Sequence, residues 1–204
     1  MGRITLAAVR SVLTSDALFP IIMVGLGGCI FGALSSFQTS YAKFHKLDYS
    51  LFFIGFMVVA IICRLLVAGM LVRRDPYVAT VILSGLTVVS IVMFLLFVDS
   101  QFTYLLAAIV LGIGYGLTYS VINGLAANDA PPDQISQSLL LFSLSYIVGV
   151  FGFPFLAGKF IVNFGVSALL ISILVIAIIN WMVALARLIK RHRRVKTLGS
   201  SLAT

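Results

Sequence analysis

Residues 100–128 read SQFTYLLAAIVLGIGYGLTYSVINGLAAN, a run without one charged side chain. Spanning the hydrocarbon of a bilayer takes roughly 20 apolar residues in a helix, and this run exceeds that. In hydrocarbon every backbone N–H and C=O must find a partner inside the protein, and an uninterrupted stretch of this length achieves that as a helix, not as the short alternating strands of a barrel.

Working outward, the same reading repeats. Uncharged runs extend over Ala17–Ala42, Pro76–Val98, Gln134–Gly158 and Phe160–Ala186, while Tyr49–Val72 is interrupted only by Arg64. Six spans are expected. The rest of the composition agrees: 61% of the 204 residues are hydrophobic, 10% are charged, and the mean hydropathy is +1.17. A chain this apolar does not fold as a water-soluble domain. The expected fold is an all-α membrane protein, a six-transmembrane-helix bundle within residues 17–187, with a lead over 1–16 and a basic tail over 188–204.

A net charge of +8 raises the question of nucleic acid, and the positions of the basic residues answer it. With the N-terminus in the cytoplasm, Arg3, Arg10, Arg73, Arg74, Arg187, Lys190, Arg191, Arg193, Arg194 and Lys196 fall on the inner side, against Lys43, Lys46 and Lys159 outside. This bias follows the positive-inside rule, so the charge reports topology and not a nucleic-acid partner. An even number of spans puts both termini in the cytoplasm, with the chain integral to a plasma membrane of the bacterial inner-membrane kind. The tail RLIKRHRRVK is placed to touch anionic lipid. Arg3 and Arg10 suit an interfacial amphipathic helix, and Ser15 and Asp16 could cap the first span. Cys29 and Cys63 lie inside spans, where a disulfide framework is not expected.

Three polar features stand out against this background. Arg64 is the only charge within a span, about nine residues or roughly 13 Å of helix from the inner arginines. Burying it costs at least about 2.5 kcal/mol on insertion scales, so it must face a cavity, a partner or backbone carbonyls. Two readings stand: contact with a substrate group, or a structural bond near the cytoplasmic gate. Tyr115, Tyr119 and Asn123 recur every four residues and form a stripe on the same helix, at a depth similar to Arg64. Gln38 leads a polar patch with Ser35, Ser36 and Thr39, where hydrogen bonding between helices competes with ligand contact. These five are the candidate substrate pathway.

The glycines of GLGGCIFG and GIGYG follow no strand and lack a P-loop lysine, so they do not read as phosphate loops. Gly28 with Gly32, and Gly112 with Gly116, have the spacing that lets helix backbones approach closely. There is no Glu, and Asp16, Asp48, Asp75, Asp99, Asp129 and Asp133 all sit at turns or ends, so no acid is placed for a mid-membrane proton relay. His45 and His192 are too far apart to hold a metal, and neither supports an intramembrane protease; no cofactor and no enzymatic activity are expected. A weak internal repeat aligns Ala68-Gly69 of the second span with Ala157-Gly158 of the fifth, as two inverted three-helix units would.

The stretch LLAAIVLGIGYGLTYSVINGLAANDAPPDQ followed by SYIVGVFGFPFLAGKFIVNFG resembles the tenth and eleventh helices of major facilitator superfamily transporters. Gly112, Gly114, Gly116, Ala130-Pro131-Pro132, Gly149, Gly152, Pro154, Gly158 and Gly165 carry the likeness. RLLVAGMLVRRDP resembles the end of the eighth helix and the family's basic loop, although here Arg73 and Arg74 precede Asp75 and Pro76. The resemblance implies a cytoplasmic gate loop at Gly69, Arg73, Arg74 and Asp75, and helix packing through Gly152, Pro154 and Gly158. It further implies that the chain is the C-terminal six-helix half of a secondary transporter, moving a small organic solute by alternating access. Met1 falls where the family has its central cytoplasmic loop, so an N-terminal six-helix half or a homodimer is expected to supply the opposite wall. The alternative is a truncated or non-transporting membrane module that needs a partner half.

Overall fold

The computed structural model describes residues 6–73 and 75–201, with side chains over 9–67, 69–71 and 75–193. Arg3, Arg74 and the side chains of Arg73, Arg194 and Lys196, which entered the topology argument, lie outside the described residues. Every regular element among the described residues is helical: α1 Leu6–Thr14, α2 Leu18–His45, α3 Ser50–Leu66, α4 Ala68–Arg73, α5 Pro76–Leu96, α6 Gln101–Asn128, a 3-10 turn Pro132–Gln134, α7 Ile135–Ile147, a π-helical turn Val148–Gly152, and α8 Phe153–Ser201.

Length alone identifies four membrane-crossing helices: Leu18–His45, Pro76–Leu96, Gln101–Asn128 and the 62-residue segment Pro132–Arg193. The chain nevertheless passes six times between two ends. The second pass is α3, 17 residues long, continued by α4 after a break at Val67, whose N–H bonds the Cys63 carbonyl at 2.8 Å. The fifth and sixth share the long segment. Ser145 donates to the Ile21 carbonyl at 2.8 Å, and Lys190 meets Asp16 at 2.7 Å, so residues 45 apart both lie at the start of α2. A straight helix would separate them by about 67 Å. The reversal falls at Gly165, whose φ of 83° and ψ of 177° belong to a region only glycine enters readily. The backbone stays helical through Lys159 and turns at the glycine.

One end of the bundle therefore gathers Asp16, Asp75, Asp129 and the 187–191 stretch of α8. The other holds Lys46, the Asp48 amide bonded to Gln101 at 3.2 Å, and Gly165. Local signals account for the entries. Asp75 accepts from the amides of Tyr77 and Val78 as N-cap of α5, with Pro76 as its first residue. Ser100 and Thr103 close a capping box on α6. Pro131 and Pro132 stop α6 before α7 begins. At α2 the cap is Ala17 with no side-chain bond, while Asp16 pairs with Lys190.

α3 packs on α6 as α7 and the π turn pack on α2, and α5 packs on α6 as α8 packs on α2, with α2 meeting α6 and α5 meeting α8. Exchanging the first three passes for the last three leaves these pairings unchanged; the contact of α6 with α7 is the exception, with no comparable contact of α2 with α3. The glycines mark its register. A methyl on Gly112 would come 2.8 Å from the Phe56 carbonyl, and one on Gly28 would come 2.7 Å from that of Tyr146. A methyl on Gly116 would stand 3.2 Å from Ala60 Cα, and on Gly32, 2.9 Å from Val150 Cα. Phe56 thus answers to Tyr146 and Ala60 to Val150. This register differs by one residue from the Ala68-Gly69 to Ala157-Gly158 alignment, which compared composition in segments that lie beyond the contact.

Two expected packing positions differ from these four. Gly152 is exposed, with nothing nearer a methyl than Val148 Cγ1 at 4.0 Å, and Gly158 would meet Phe37 at an ordinary 3.8 Å. Pro154 acts on the backbone. Its ring nitrogen cannot bond the Val150 carbonyl four residues back and would crowd it, so the helix widens into the π turn there. The carbonyl so released is the one that faces Gly32.

Candidate functional site

α6 presents Tyr115, Tyr119 and Asn123 along one line, and α3 brings Arg64 to it. The Arg64 Nε donates to the Gly116 carbonyl at 3.1 Å, and its guanidinium lies 5.3 Å from the centre of the Tyr119 ring. From the other side α7 supplies Phe142 and Tyr146, edge-on to Tyr119 at 5.6 and 5.2 Å. Tyr119 is thereby held between a cation and two aromatic edges. Asn123, half-buried, continues the stripe toward the acidic end.

Tyr115 lies deeper. Its ring stacks on Phe31 of α2 at 5.4 Å and 11°, and Phe31 stacks in turn on Phe56 of α3 at 5.3 Å. Gly27 of α2 makes room for the Tyr115 ring, which a methyl there would meet at 3.3 Å. The Tyr115 hydroxyl is buried and makes no hydrogen bond of good geometry, with Tyr146 beside it. It lines a cavity of about 10 Å³ together with Thr87, Thr118, Tyr119 and Asn180.

Gln38 stands apart from this group. It is 2% exposed and accepts a hydrogen bond from the Tyr104 hydroxyl at 2.7 Å, within a cluster where Tyr41 donates to the Phe94 carbonyl at 2.6 Å. Of its two sequence readings, the structure shows the bond between helices; the side chain does not face Arg64.

At the acidic end, Gly69 is exposed with open space around it. Asp75 caps α5 and pairs with Arg191 at 2.6 Å. Burial raises the Asp75 carboxyl, but the Val78 and Tyr77 amides and Arg191 together outweigh it and hold it below its ordinary value.

The sequence missed the rest of this end. Arg187 is 4% exposed and forms an ion pair with Asp129, whose other oxygen accepts from the Tyr77 hydroxyl at 3.0 Å. Arg187 and Arg191 both lie over the Tyr77 ring, 4.8 and 4.3 Å from its centre. With Asp16 and Lys190 these residues line a cavity of about 90 Å³. The available signal was Arg187, Lys190 and Arg191 at i, i+3 and i+4, one face of a helix, opposite three helix ends that each carry an Asp. Each of these three cations, in the stretch expected to touch lipid, also pairs with one of those acids. Among the described residues no group of His, Cys, Asp or Glu could hold a metal ion.

The family model described as Major Facilitator Superfamily matches residues 2–146, more than half of the chain. The match takes in Arg64, Tyr115, Tyr119 and Asn123 and ends at Tyr146, two residues before the π turn. No curated protein matches the chain.

Proposed function

Given that this chain belongs to the major facilitator superfamily, whose members carry out membrane transport, we propose that it is one six-helix half of a secondary transporter and moves a small organic solute by alternating access. The bundle rocks against a second six-helix bundle, either an N-terminal half or another copy, so that the face bearing Arg64 opens to each side in turn. Both ends of the chain lie on the cytoplasmic side of a plasma membrane of the bacterial inner-membrane kind, as the basic residues favour. Arg64, Tyr115, Tyr119 and Asn123 line the path. Gly69 and Arg73 of α4, with Arg74 and Asp75 following in sequence, serve as the gate segment at the cytoplasmic end.

The observation that carries this reading is the state of Arg64. A guanidinium at this depth is costly, yet its one hydrogen bond among the described residues is to a backbone carbonyl, and it remains exposed on the bundle face. A residue kept only for packing would be covered.

The test is uptake into proteoliposomes by the purified chain, alone and with a second six-helix half. Arg64→Gln is expected to lower uptake about 10- to 100-fold with the folded fraction unchanged, the loss that follows from removing a charge-assisted contact. Uptake at unchanged rate and affinity by that variant, or none by the wild-type chain in either setting, would favour a non-transporting membrane module.

A further inference from the structure

The chemistry around Arg64 narrows what the transporter reading leaves open, and the inference below rests on that reading. The three ion pairs, Lys190 with Asp16, Arg191 with Asp75 and Arg187 with Asp129, all lie at one end of the bundle. The chain has no Glu, and all six Asp sit at turns or helix ends, so no acid of this chain can neutralise Arg64 at its depth. Among the described residues only Nε makes a hydrogen bond, to the Gly116 carbonyl. The two η nitrogens form the end of a planar fork whose geometry matches a carboxylate.

The side chains around that fork are aromatic, with Tyr119, Tyr146 and Phe31 half-buried and Tyr115, Phe56 and Phe142 buried. Tyr119 lies under the guanidinium, Tyr146 and Phe142 border Tyr119, and one turn away Tyr115, Phe31 and Phe56 stack on each other. Polar groups are sparse on the exposed part of this face, where the hydroxyls of Tyr119 and Tyr146 and the side chain of Asn123 lie; Thr87, Thr118 and Asn180 are buried around the small cavity beside Tyr115. A sugar needs many directed hydrogen bonds, which such a surface lacks, and an organic cation meets an uncompensated positive charge. An anion with an apolar body satisfies both features.

We infer that the face around Arg64 binds a small organic carboxylate with an aromatic or apolar body, the carboxylate on the η nitrogens of Arg64 and the body against Tyr119 and Tyr146. The guanidinium already bonded to Gly116 and stacked on Tyr119 is held in place before the ligand arrives, which lowers the cost of ordering it.

Calorimetric titration of the detergent-purified chain with benzoate, benzamide, glucose and tetraphenylphosphonium tests this. Benzoate should bind at least about 10-fold more tightly than benzamide, and Arg64→Gln should erase that preference while the melting temperature stays where it was. Arg64→Lys keeps the charge without the fork, so it should retain some preference for benzoate; this variant decides the matter if the glutamine form does not fold. Equal binding of benzoate and benzamide, or stronger binding of glucose or tetraphenylphosphonium, overturns the carboxylate class while leaving the transport reading to its own uptake assay. Absence of binding by all four to the wild-type chain overturns the inference too.

Discussion

α6 against α3 and α2 against the π turn are one contact made twice, with glycines four apart laying backbone on backbone. Their chemistry is not repeated. The α3 side carries Arg64, and carrying the contact register forward from Ala60 and Val150 brings the π-turn side to Pro154. At the crossing of α2 and α6 the stacked rings are Phe31 in one repeat and Tyr115 in the other. Packing geometry needs both copies to be alike, because two repeats related by a twofold must bury equivalent surfaces. A binding residue is needed only once. The bundle thus keeps symmetry in its glycines and spends its asymmetry on one cation, one proline and one hydroxyl.

The sharpest way to break this comparison is at the glycines. Gly32→Val and Gly116→Val each force a side chain into a neighbouring backbone that cannot yield, and each should cost about 3 kcal/mol, near the upper end for overpacking. Thermal unfolding in detergent measures both. A large loss from one with little from the other would show that the two contacts are not equivalent.

The entries to the third helix of each repeat differ as well: α5 begins at a capped Asp75-Pro76, and the last pass of α8 begins at Gly165. Gly165→Ala places a Cβ on a backbone at φ 83°, with open space around it, so the whole cost is conformational, about 2 kcal/mol. A melting temperature equal to wild type would show that the reversal does not depend on that φ. Asp75→Asn keeps a capping oxygen and removes the charge facing Arg191. Both partners are 41% exposed, so the loss is at most about 1 kcal/mol. Its pH dependence has a definite sign. The folded Asp75 carboxyl is held below its ordinary value, so its stabilisation is present at neutral pH and is lost as the solution is acidified below about 4. Wild type and variant should therefore converge in acid; a gap that persists there would assign the difference to something other than this charge.

Much of the fold was legible because the solvent is hydrocarbon. Runs such as Ser100–Asn128 have only one way to satisfy their backbones, and Pro131-Pro132 has only one effect on a helix. The spacing of Gly28 with Gly32 and of Gly112 with Gly116 also pointed to close helix contacts. What could not be read depends on where distant residues meet. Asp129 and Arg187 are 58 positions apart, and nothing in either neighbourhood names the other. Arg64 was visible as an anomaly, but its partner is a carbonyl, and every residue has one. Gln38 and Tyr119 looked alike as polar residues in apolar helices. Only the packing of Tyr104 on one and of Arg64 on the other separates a core bond from an exposed face. The π turn was hidden for a simpler reason: Pro154 was counted as a packing residue when its effect is on the carbonyl four positions earlier.

The smallest expected effect tests the asymmetry at its centre. Tyr115→Phe would make the ring pair at the α2–α6 crossing symmetric, since Phe31 already lacks a hydroxyl. The Tyr115 hydroxyl is buried without a hydrogen bond of good geometry, beside a cavity of about 10 Å³ that is at the lower limit for one water. Removing a buried, unsatisfied hydroxyl relieves a desolvation cost, so the variant should be more stable by a few tenths to about 1 kcal/mol, opposite in sign to the other substitutions. If the hydroxyl serves only the fold, substrate uptake is unchanged. If it serves the pathway beside Tyr119 and Arg64, uptake falls while the melting temperature rises, and that opposed pair of shifts is the pattern expected of a polar group retained for function at the expense of stability.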